Sequence, residues 1–173
     1  MMFKLFDKKH NGPDSRILRL LEIFEQLSAD ITELYSTLEP CNPNPVELRF
    51  FAMSSVSVCV QGYGELPEGE MQTIINTFIE QAIALLISKM PRADYSLLHN
   101  AFIDRFGDYC DLIVNVLNAE TTKECQNATF ALMTTMDAHM RVERGAFLAA
   151  TTGLGLVPIL REHSINVRKV FVG

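Results

Sequence analysis

Most signatures of familiar enzyme chemistry are missing from this chain. It has no G-x-x-x-x-G-K-[ST] loop, no G-x-G-x-x-G turn, no H-E-x-x-H helix and no G-x-S-x-G elbow. Five expected helices without a βαβ pattern also remove the usual nucleotide-binding scaffolds. No Glu-x-x-His occurs. The ligand set of a di-metal carboxylate bundle, which needs that spacing on facing helices, is therefore absent. The four histidines, His10, His99, His139 and His163, fall one per segment rather than at the i, i+4 spacing of a helical metal site. Neither a metal nor a cofactor is expected, and no residue is assigned a catalytic role.

Disulfide and membrane signals are equally sparse. Of the four cysteines, Cys41, Cys59, Cys110 and Cys125, no two form a C-x-x-C pair. Cys59 and Cys110 lie within apolar helical patterns, where a thiol acts as a small hydrophobe. The start, Met-Met-Phe-Lys-Leu-Phe-Asp-Lys-Lys, lacks the apolar stretch of a secretory signal. A reduced, cytoplasmic chain is the expectation. The longest uncharged run, Gly145 to Leu160, is sixteen residues and includes Thr151, Thr152, Gly153, Gly155 and Pro158. A spanning helix needs roughly 20 apolar residues, so this run reads as buried protein.

What is present suits one globular domain. The 173 residues are 48% hydrophobic and 21% charged, and a domain of this size buries roughly 70% of its unfolded surface. The net charge is −6, unevenly spread: residues 20–80 carry ten acidic side chains and one basic, whereas both ends carry a small basic excess. That balance argues against nucleic acid as a partner, because phosphates demand clustered Lys and Arg. An acidic face suits a basic partner protein.

Helix signals recur along the chain. The first helix follows Pro13-Asp14-Ser15 and places Ile17, Leu20, Phe24, Leu27, Ile31, Leu34 and Leu38 in steps of three and four. Asn44, Pro45 and Glu47 start a second helix, expected from Val46 to Val60. Its Ser54-Ser55-Val56-Ser57-Val58 core is poor in helix formers, which leaves a buried strand as the competing assignment. A third helix, Glu70 to Lys89, is apolar on most of its circumference and is expected at the centre of the core. Pro91 opens a fourth, reaching Asn118. Thr121-Thr122-Lys123-Glu124 is a capping box for a fifth, expected to reach Ala150. Gly153 and Gly155 read as its stop, Pro158 as the start of a short last helix, and the final residues as an extended tail. The expected architecture is all-α: a single-domain bundle of five to six helices over residues 1–173, with 1–13 a flexible leader and 156–173 a C-terminal tail.

One constellation stands out. His139 and Glu143 lie four apart and share a helix face with Leu132, Met136, Ala146 and Ala150, while Asp137, Arg141 and Arg144 turn away. A polar pair aimed into an apolar region reads first as a satisfied hydrogen-bonded pair, within the helix or partnered across the bundle; it also suits a polar contact with a partner or acid–base work. Met133, Met136 and Met140 form a stripe on the same helix, and methionine lines both irregular cores and adaptable binding grooves. These five residues are the candidate partner-binding set.

The loop Gly62-Tyr63-Gly64-Glu65-Leu66-Pro67-Glu68-Gly69 and its flanking helices resemble tellurite-resistance TerB-like helical domains over a short stretch. Tyr63 and Gly64 stand where that family carries an Asp, so the resemblance implies no metal site here.

The resulting expectation is a non-enzymatic protein–protein interaction module, an adaptor, regulator or chaperone-like protein. A small-ligand or metal-dependent helical enzyme using His139 and Glu143 is the alternative, and a peripheral membrane protein using Phe3, Leu5 and Phe6 is the third reading. The heptad seam of the first helix and the apolar third helix raise a homodimer as one expected assembly.

Overall fold

The computed structural model describes residues 15–38, 43–63, 65–90, 92–142 and 146–172. They form a single all-α domain of six packed helices: α1 (Ser15–Leu38), α2 (Pro45–Gln61), α3 (Glu68–Ser88), α4 (Tyr95–Asn118), α5 (Thr122–Met140) and α6 (Ala146–Phe171). No strand occurs among the described residues. The expected leader, residues 1–13, lies outside them.

The middle of the bundle is α2, which touches all five other helices. Its start is fixed as expected, with the Asn44 side chain accepting from the Val46 N–H at 3.0 Å and Pro45 in the first turn. The strand alternative for this segment falls: it is helical throughout, and two of its three serines, Ser54 and Ser55, bond back within the helix. The Ser54 and Ser55 hydroxyls donate to the Phe50 and Phe51 carbonyls at 2.9 Å, leaving small, nearly apolar surfaces. Twelve of the 17 residues are buried, on every side of the helix. Edge-on rings lock it to α4, with Phe50–Phe102 at 5.9 Å and Phe51–Tyr109 at 5.4 Å.

The expectation that the third helix is central is overturned. Helix α3 packs on α1, α2 and α4 through Ile74, Ile75, Phe78, Ile79, Ala82, Ile83 and Leu86, while Gln72, Thr73, Asn76 and Glu80 face solvent. Its length and composition alone would let it cross a membrane, yet its apolar side is part of the core. Most of the α1 seam is covered as well: Ile17, Leu20, Phe24, Leu27 and Ile31 are buried against α2, α3 and α6, and Leu34 is half-buried. The Leu38 side chain lies outside the described ones.

The C-terminal third is corrected most. Helix α5 stops at Met140, not Ala150, because Arg141 takes the left-handed conformation, φ 56°. Its N–H reaches the Ala138 carbonyl at 3.2 Å and the Val142 N–H reaches Asp137 at 2.9 Å, closing the helix end. The residues read as a helix stop and an extended tail instead belong to one 26-residue helix, α6. Gly153 and Gly155 mark close approaches within it. A side chain at Gly153 would meet Thr129 Cβ at 3.0 Å on α5, and one at Gly155 would meet Leu34 Cδ1 at 2.8 Å on α1. Pro158 lies on the exposed side of the helix together with Leu154, the residue whose carbonyl loses its helical donor. Helix α4 starts at Tyr95, where the Asp94 side chain caps the Leu97 N–H at 3.0 Å, rather than at Pro91.

Candidate functional site

Met133, Met136 and Met140 are core residues, 0%, 1% and 8% exposed. They face inward because they share the α5 face that meets α4 and α6. The Tyr35 hydroxyl of α1 donates toward the Met133 and Met136 sulfurs at 3.9 and 3.8 Å, a weak contact that fills an otherwise apolar seam. The stripe is therefore filled from within the chain and presents no open groove. Asp137, expected on the outer side, is buried with it.

His139 does point toward the bundle, as its spacing suggested, but its described partners are on α4. Its Nε2 lies 3.0 Å from Asp108 Oδ2, an ion pair when the ring is protonated, though not aligned as a hydrogen bond. The imidazole stands edge-on to Tyr109 at 5.5 Å. Glu143 lies outside the described residues. Beside this pair, Arg105 Nε donates to Glu47 Oε2 at 3.1 Å and Oε1 at 3.3 Å, linking α4 to α2. The hydrogen bond to Glu47 holds the Arg105 guanidinium charged, above its ordinary range. Burial pushes the Tyr109 phenol well up and keeps it neutral, and its hydroxyl finds no hydrogen-bond partner among the described residues. An acid, a base and a phenol are thus gathered at the α2–α4–α5 junction. Neither the void lined by His163 and Cys59 nor the groove between α1 and the start of α2 touches them.

The pairing that sequence reasoning missed joins α1 to α6. His163 Nε2 sits 2.7 Å from Asp30 Oδ2, with the imidazole buried. The two residues are 133 positions apart, so no local spacing could reveal them. His163 also lines a narrow void with Leu27, Ser55, Cys59 and Leu160, too small to hold a water molecule. Asp, His and Cys in one place suggest nucleophilic chemistry. Burial, however, pushes the Cys59 thiol up to about 12, whereas a nucleophilic cysteine needs a lowered value.

The second cavity is an open groove of about 480 Å³ between α1 and the start of α2, lined by Glu25, Ser28, Thr32, Glu33, Ser36 and Arg49. Its polar groups are largely committed. The three hydroxyls donate to carbonyls one turn back, and Arg49 pairs with Glu25. Among the described residues, no group of three or more His, Cys, Asp or Glu side chains could hold a metal ion.

The feature of α4 that the inside does not explain is on its outer side. Ile103 is 46% and Val114 37% exposed. With exposed Gly107 and half-buried Cys110 between them, they follow steps of four, three and four, so all four residues share one helix face, on which Cys110 also packs against the core. The sequence reading followed only the inward face of this helix and passed over the stripe. No protein-family model, no curated protein and no solved structure matches this chain.

Proposed function

We propose that the chain is a non-enzymatic helical interaction module, an adaptor, regulator or chaperone-like protein whose partner is another protein. The observation that carries this reading is the exposed apolar stripe of α4, set against an interior whose methionines, histidines and buried thiol are consumed by packing. An apolar face at helical spacing is the form in which helix-mediated recognition is usually built. The methionine stripe plays no direct part in it, since reaching those side chains would require opening the bundle.

The test is a comparison of partners recovered from cells by the wild-type chain and by Ile103→Asp and Val114→Asp, each checked for an unchanged helical spectrum and melting temperature. Both side chains are substantially exposed, so the charge meets water and costs the free fold within about 0.5 kcal/mol. The expected outcome is a folded variant that loses a partner which the wild type retains. Identical partner sets for wild type and both variants would sink the proposal.

A further inference from the structure

The α4 surface carries two more features that specify what it would receive, and they rest on the interaction reading above. The first is Gly107, in the interior of a 24-residue helix. Glycine there is unfavourable relative to alanine, and it is usually repaid by close packing. At Gly107 no such packing is present among the described residues: an added Cβ would find none of their atoms within 4 Å. The glycine leaves a shallow notch in the middle of the stripe, between Ile103 and Val114.

The second is charge. Asp104, Asp108 and Asp111 are exposed and follow steps of four and three, making an acidic row beside the apolar one. The only basic residue of α4, Arg105, is already held by Glu47. Asp108 faces His139, but among the described residues no cation pairs with Asp104 or Asp111. An apolar row notched at its centre and flanked by unneutralised carboxylates is complementary to an amphipathic helix with apolar residues on one side and Lys or Arg beside them. A second copy of the chain fits worse, because antiparallel pairing of two α4 stripes would bring like-charged aspartates together.

We propose that the outer face of α4, through Ile103, Gly107, Cys110 and Val114 with Asp104 and Asp111, docks a basic amphipathic helix of a partner protein. Gly107 lets the partner helix approach the α4 backbone, and the two aspartates fix its orientation and exclude acidic helices.

The probes are two labelled helical peptides with leucine at a and d, one carrying lysine and the other glutamate at the remaining positions. Binding to the full chain is read by fluorescence anisotropy, and folding by thermal melting. The lysine peptide should bind saturably and the glutamate peptide should not. Gly107→Leu should leave the melting temperature of the free chain unchanged or raised, while weakening lysine-peptide binding at least tenfold. The double variant Asp104→Lys, Asp111→Lys should reverse the preference toward the glutamate peptide. Undiminished binding to Gly107→Leu, or an unaltered lysine preference in the charge-reversed chain, would overturn the proposal. So would a wild-type dimer in light scattering that becomes monomeric in Gly107→Leu, since it would assign the stripe to a second copy. If Ile103→Asp loses its cellular partner while the charge-reversed chain keeps it, the interaction reading stands and the basic helix falls.

Discussion

Gly153 and Gly155 on α6 are pressed against neighbours, whereas Gly107 on α4 faces open space. The same contrast runs through the two parts of the molecule to which they belong. In the α1–α2–α6 region, several residues that break a local rule have a reason inside the chain. Ser54 and Ser55 of α2 bond their own helix, the α6 glycines let α5 and α1 approach, and His163 is held by Asp30. On the outside of α4, Ile103, Val114 and Gly107 have no such reason among the described residues. A departure from local preference that the fold explains is structural, and one that it leaves unexplained points outward.

The largest expected effect comes from putting the same charge on the two sides of this contrast. Met136 is buried on α5, against Tyr35 of α1. Met136→Glu sets a carboxylate in an apolar seam without a cation, which costs several kcal/mol, a large part of the 5–15 kcal/mol available to a domain. The variant should be unfolded or nearly so by circular dichroism. Ile103→Glu should melt within about 2 °C of the wild type, since an exposed site costs little. Similar melting of the two variants would erase the distinction between the regions.

The glycines sharpen it next. Gly153→Val forces branched atoms against Thr129 and Met133, both buried on α5, and overpacking of this kind costs about 1–3 kcal/mol. Gly107→Ala meets nothing and should gain about 0.5–1 kcal/mol through the lower entropy of the unfolded chain and better helix propensity. Opposite shifts in melting temperature are expected. A loss at Gly107 would mean that the notch is needed by the fold itself.

How much of this was legible depended on whether the signal was local. The capping box at Thr121, the Asn44-Pro45 start and the α1 seam are contained within a few turns, and the structure reproduces them. The end of α5 was hidden because a left-handed cap ordinarily advertises itself as glycine; here arginine takes it, while the nearby glycines serve helix contacts. The rank of α2 over α3 was hidden because serine counts as polar in a pattern, although the Ser54 and Ser55 hydroxyls are consumed by the backbone. Of the candidate site, the inward direction of His139 was readable from its period. Its partners Asp108 and Tyr109, and the Asp30–His163 pair, arise from tertiary contacts that no spacing encodes.

Arg141 supplies a smaller test of the same lesson. Its φ of 56° is the only positive value at a non-glycine residue among those described, and such a conformation costs an L-residue about 1 kcal/mol. Arg141→Gly should raise stability by up to about 1 kcal/mol, read by denaturant midpoint. A clear loss would show that the Arg141 side chain contributes more than its backbone costs.

The smallest expected effect is a pH dependence at the edge of the sealed region. Glu25 on α1 accepts from Arg49 Nη1 of α2 at 2.5 Å and from Lys89 Nζ, just past α3, at 2.6 Å, so one carboxylate ties three helices. Partial burial acts to raise its pKa, but the hydrogen bonds and charges of Arg49 and Lys89 outweigh burial and hold it below the ordinary value of 4.5. A carboxyl lowered in the folded state binds fewer protons there than when unfolded, so stability rises with pH across that interval. The contribution is fully present above 4.5 and is lost as pH falls through the lower folded value. The side chain is 35% exposed, so solvent and salt screen the pair and the effect should be about 2 °C in melting temperature at neutral pH. Glu25→Gln should lower the melting temperature by that amount at pH 7, and the difference from wild type should shrink toward zero as pH is taken well below 4.5. A constant difference down to the most acidic pH would show that Glu25 acts by packing, and that the tie among α1, α2 and α3 is not electrostatic.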